Sequence, residues 1–163
     1  MTPLALQDEL AKEIKGLLKG ELYENPSGDM VPINVYTQLI PVSESKDEDE
    51  PVPYIIVRLD SGEDLGGVKR SGRSYDEGYK IDVIIIITLW KETKENQGYR
   101  SLVNIINRIY ERYAKRPALD NMEGVFDGRF QWKLQEDAYY PYCIGACYLT
   151  FQIPAVQKED PLI

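Results

Sequence analysis

The stretch IDVIIIITLW, Ile81–Trp90, decides how the rest of the chain has to fold. In a β-strand, successive side chains point to opposite faces. Ile81, Val83, Ile85, Ile87 and Leu89 then share one face. Asp82, Ile84, Ile86, Thr88 and Trp90 share the other, where only Asp82 and Thr88 interrupt an apolar row. Such a ribbon needs cover above and below. As a membrane helix the run is about half the roughly 20 residues needed to cross a bilayer, and no other apolar run is longer.

Working outward, the flanking segments supply candidate cover. Thr2 and Pro3 read as an N-cap and first helical residue, with Gly20 just past the end. Leu6, Leu10, Ile14, Leu17 and Leu18 recur between them at helical spacing. From Gly98 a second helix is marked by Tyr99, Leu102, Val103, Ile106, Ile109, Tyr110 and Tyr113, and Pro117 lies beyond its end. INVYTQLI (33–40), YIIVRLD (54–60), FQWKL (130–134) and YCIGACYLTFQI (142–153) read as strands. The order is helix, three strands, helix, two strands. Short links predict an α+β domain: a mainly antiparallel sheet of about five strands with both helices on one face. The second face of Ile81–Trp90 is then left to a further layer or another subunit.

The 163 residues suit one domain with a sizeable core. PVSESKDEDEPVP (41–53) is a proline-bounded acidic loop. SGEDLGGVKRSGRSYDEG (61–78) has too few apolar residues to pack. Mobile loops are expected over about 41–53 and 60–78, and a loose tail over 155–163. The N-terminus lacks the basic start and apolar block of a secretory signal, so the expected compartment is the cytosol.

A formal charge of −8 argues against sequence-specific nucleic-acid binding, which relies on lysine and arginine to displace counterions. The chain has no histidine, hence neither the commonest general base nor the commonest metal ligand. Cys143 and Cys147, on one strand face about 13 Å apart, are too distant for a disulfide and read as small buried residues. Twelve tyrosines, among them Tyr139, Tyr140 and Tyr142, fit a chain that meets other proteins, since tyrosine is enriched at interfaces. Rings that merely cap sheet edges would look the same.

Three near-motifs fail on geometry. Asp82 with Glu92-Thr93-Lys94 matches the letters of a metal-dependent nuclease pattern, yet ten residues of strand put the carboxylates about 33 Å apart. Gly62 to Lys69 resembles a phosphate loop until Val68 separates glycine from lysine and Arg70 stands where Ser or Thr belongs. Asp47 to Glu50 are adjacent carboxylates without the glycine-turned calcium spacing. No catalytic, cofactor or metal site is expected. An enzyme built on carboxylates would need an unrecognised pocket.

The second half of the chain carries a resemblance. PYIIVRLDSGED (53–64), the long apolar strand, QGYRSLVNIINRIYERYAKRPAL (97–119) and FQWKLQEDAYYPYCIGACYLTFQIP (130–154) follow one another as in the tail terminator, or tail completion, proteins of long-tailed bacteriophages and prophages. Gly98-Tyr99-Arg100, Trp132-Lys133-Leu134 and Pro141-Tyr142 followed by Gly145 are the most specific pieces, although each is short. The resemblance covers roughly Pro53 to Pro154. It implies a structural ring, usually of six subunits, that sits on the last ring of the tail tube. Such a ring stops tube polymerisation and meets the head-completion (connector) proteins at the tail–neck junction of the virion, after assembly in the bacterial cytoplasm. It implies no catalysis, no cofactor and no membrane. Another head–tail joining protein is the alternative. In a ring through which DNA passes, negative groups repel phosphates; Glu63, Asp64, Asp76 and Glu77 are the candidates to approach the lumen or a ring face.

Overall fold

A computed structural model describes residues 1–40, 52–65, 78–90, 97–135 and 141–156. The acidic run 47–50, Glu92 to Lys94, Asp76, Glu77, Tyr139, Tyr140 and residues 157–163 lie outside the described residues.

Helix α1 (Pro3–Leu17) starts where the sequence places it. The Thr2 hydroxyl accepts a hydrogen bond from the Ala5 amide at 3.1 Å, and Pro3 supplies the first turn. Gly20 takes a left-handed φ of +89°, a conformation that costs glycine nothing. A small hairpin follows, β1 (Tyr23–Glu24) and β2 (Met30–Val31). Strands β3 (Asn34–Thr37), β4 (Tyr54–Asp64) and β5 (Tyr79–Trp90) precede helix α2 (Gln97–Lys115), and β6 (Val125–Leu134) and β7 (Tyr142–Ile153) close the sheet.

The five-stranded sheet has the order β3-β4-β5-β7-β6. The expected α+β architecture holds, with one parallel pair: β3 runs alongside β4 in the same direction, while every other pairing is antiparallel. A parallel neighbour requires a long crossover, and residues 38–53 are long enough to make one. The opening stretch takes the centre. Every residue of β5 from Tyr79 to Trp90 pairs with β7, Tyr79 opposite Ile153 and Trp90 opposite Tyr142.

Both helices lie on one face. Leu6, Leu10 and Ile14 of α1 and Leu102, Ile105, Ile109 and Tyr113 of α2 join one cluster with Ile55, Val57, Val83, Ile85, Ile87, Cys147 and Phe151. Cys143 and Cys147 are both buried in that face, as small apolar side chains would be, and form no disulfide with each other. Burial pushes the Cys147 thiol up to about 12, so it is inert as a nucleophile.

Two expectations change. The segment 61–78, read as a loop, begins as strand: β4 runs on through Ser61–Asp64, so Glu63 pairs with Lys80 and Asp64 with Tyr79. Gly62 permits this, since a Cβ there would stand 3.0 Å from the Ile81 Cδ1. At the other loop, Val52 and Pro53 are buried, so the acidic segment ends in packed residues.

Candidate functional site: the open face of the sheet

The face of the sheet turned away from the helices is graded along the strands. At one end stand aromatic rings. Trp90 meets Tyr142 edge-on at 5.0 Å, and Tyr36 lies 6.5 Å from Tyr54. Ile56 and Thr88 are already buried where this end begins. In the middle Ile84, Ile86, Ile144 and Ala146 are only half-buried and Tyr148 is exposed, although all sit on central strands. Here the face is concave, with a depression of about 610 Å³ lined by Ile84, Ile86, Ile144, Ala146, Tyr148 and Lys133.

The far end is polar. Asp82 accepts hydrogen bonds from the Thr150 hydroxyl at 2.6 Å and the Ser61 hydroxyl at 2.9 Å, one from each neighbouring strand. A second depression, about 560 Å³, is bounded by Asp60, Asp82, Arg129, Gln131 and Thr150. Arg129 and Lys80 both pair with Asp127, at 3.1 Å and 3.8 Å. Asp82 is therefore a pin between three strands. The period-2 pattern of β5 foretold both the apolar middle and this polar stop.

The described candidates, Glu63, Asp64 and Tyr142, do not converge. Tyr142 belongs to the aromatic end, whereas Glu63 and Asp64 lie at the polar end. Lys80 and Trp90 mark those ends on β5, ten residues or roughly 33 Å apart. Tyr142 thus joins a cluster with Trp90 that composition alone did not reveal.

Carboxylates do gather elsewhere. Glu9, Glu13 and Asp120 bring oxygens within 4.8 Å of one another. A guanidinium already fills the gathering point. Arg112 donates to Glu13 Oε1 at 2.6 Å, to Asp120 Oδ1 at 3.1 Å, and to the Arg116 and Ala118 carbonyls. The Glu13 side chain is 2% exposed, and burial raises its pKa to about 7 despite the opposing pull of the Asp120 amide and Arg112. Glu9 Oε1 is buried without a hydrogen-bond partner. A proton on Glu13 would give that oxygen a donor, and Arg112 would keep Asp120 and two carbonyls. The cluster ties α1 to the end of α2, and the arginine makes it a clamp in place of a cation site.

The fold and this surface define a class: an α+β domain with helices on one side of its sheet and a graded, partly apolar face on the other. No family model matches the chain, and no curated protein matches it closely enough to count as a relative. Among the described residues, no helix is long and apolar enough to cross a membrane.

Proposed function

We propose that this chain is a structural assembly subunit, a tail terminator that caps the end of a phage tail tube and offers a surface to head-completion proteins. One observation carries the reading: half-buried isoleucines and an exposed tyrosine occupy the middle of a central sheet face that no described element covers. Apolar surface of this kind, rimmed by polar groups, marks places where proteins meet. The ordered resemblance from Pro53 to Pro154 supplies the kind of assembly. The arginine clamped between Glu13 and Asp120 supports a non-catalytic role, because the described carboxylate cluster already holds a cation of its own.

The graded face suits a ring subunit that touches unlike partners. Its aromatic and aliphatic parts suit a protein surface. Its polar end, with Glu63 and Asp64, suits a position near passing DNA, which negative charge repels. The test is tube length. Added to polymerising tube subunits, the chain shortens tubes in proportion to its concentration, and Ile144→Glu abolishes the effect while its melting temperature stays close to that of the parent. Unaltered tubes, with the chain retained on filled heads instead, would favour a head-side joining protein.

A further inference from the structure

The outer edge of β6 is closed along only part of its length. We propose that residues 157–163 close the rest, laying Leu162 and Ile163 in the groove between β6 and α2 of the same chain. The start of the edge shows the pattern. Ala118 pairs with Val125, and the Phe126 amide donates to the Pro117 carbonyl, so the segment after α2 covers the first residues of β6. Beyond Phe126 that cover stops. From Phe130 to Leu134, β6 pairs with β7 on one side and with no described strand on the other. A row of open edge amides and carbonyls invites pairing.

The groove runs beside this open part and holds about 340 Å³. Ile106 is buried within it, and Val103, Tyr110, Phe130 and Trp132 line it. Trp132 is 51% exposed. None of the lining side chains is charged, so the groove calls for an apolar occupant.

The path of the chain brings one within reach. β7 ends at Ile153 beside the start of β6, where a Cβ on Gly124 would lie 3.5 Å from the Ile153 Cγ2. Trp132 pairs with Cys147, six residues back along β7 from Ile153, or roughly 20 Å. Crossing to the outer side of β6 adds two strand spacings, about 10 Å. The direct path is therefore about 22 Å. Leu162, nine residues past Ile153, reaches about 30 Å, which leaves slack to round the turn at 119–124. The sequence of the segment also suits an outermost strand. Gln157, Lys158, Glu159 and Asp160 keep its first part polar, and its large apolar side chains are Leu162 and Ile163. Pro161 has no amide to donate, and charge and proline are what blunt a sheet edge against further pairing.

The contact stands or falls apart from tube capping. The parent chain is compared with Leu162→Asp/Ile163→Asp by hydroxyl-radical reactivity of Trp132 and by amide exchange over residues 130–134. The β6 amides that β7 does not bond are protected in the parent. In the charged variant they exchange faster by about tenfold or more, the factor expected when burial of one large aliphatic side chain is lost. Trp132 gains reactivity in step, whereas Met122, exposed elsewhere, and the amides of β5 keep the parent's values. Leu162→Ile/Ile163→Leu, which keeps the apolar pair, behaves as the parent does. Dilution leaves the protection unchanged, because the contact lies within one chain. Equal Trp132 reactivity and equal exchange in the parent and the charged variant would overturn the proposal. So would protection that disappears on dilution, which would place the occupant on a second copy.

Discussion

The two faces of β5 make the most instructive comparison in the molecule. Val83, Ile85 and Ile87 are at most 1% exposed under the helices, while Ile84 and Ile86, between them in sequence, are half-buried on the other side. The residue types are the same and the backbone is one strand. What differs is whether a described element supplies the cover. Isoleucine under helices contributes to folding, whereas isoleucine without described cover is the surface that the proposed assembly would use. The two faces should therefore fail differently when changed.

The largest effect is expected at the clamp on the covered side. Arg112→Ala leaves Glu13 buried without its guanidinium, and a buried pair broken in this way costs about 3–5 kcal/mol. Denaturation at pH 8 should show that loss, with a smaller loss at pH 5, where Glu13 can neutralise itself. Next, Ile85→Ala opens a cavity under both helices and should cost about 2–5 kcal/mol. Ile86→Ala, one residue along, should cost less than about 1.5 kcal/mol in the isolated chain and act on assembly instead. Equal losses at the two positions would erase the contrast between the faces.

Glu13 sharpens the comparison through pH. Its folded pKa, about 7, lies above its ordinary value of 4.5. Between those values the folded chain holds a proton that the unfolded chain releases. Its contribution to stability is thus fully present below pH 4.5 and disappears as pH rises through 7. Stability of the parent measured against Glu13→Gln should isolate this slope, which the variant lacks. The smallest effect is expected at Tyr113, whose buried hydroxyl has no hydrogen-bond partner and whose ionisation burial suppresses. Tyr113→Phe removes an unsatisfied group and should change stability by no more than about 1 kcal/mol, toward greater stability if at all.

Much of the covered face was legible in the sequence, because it is written in periodicity. The helical spacing of Leu6, Leu10 and Ile14 and the alternation along Ile81–Trp90 and Tyr142–Ile153 predict elements that the structure contains. Ile105 escaped the stripe read for α2, yet it is buried. Where pairing replaces periodicity, the reading stopped. Ser61–Asp64 looks like loop by composition and becomes strand because β5 extends alongside it. The beginning of β6 hides behind a register shift between Phe126 and Phe130, with Gly128 at φ +97°. Two-residue strands such as β1 and β2 are too short to show any alternation. The Glu13–Arg112 pair joins residues 99 positions apart, and no local pattern announces it.

On the open face, the apolar row was legible and its grading was not. The aromatic end arises from strands brought together by register, Trp90 opposite Tyr142 and Thr88 opposite Tyr54. Single residues along the chain carry no sign of that meeting.

The most direct measurement is hydroxyl-radical footprinting of Ile86, Ile144 and Tyr148, with the chain alone and then with polymerised tube subunits. If the uncovered isoleucines are an assembly surface, all three side chains lose reactivity in the complex while Leu22 and Met122, which are exposed elsewhere, keep theirs. Reactivity that stays the same at the three positions while the chain is demonstrably bound would contradict the account.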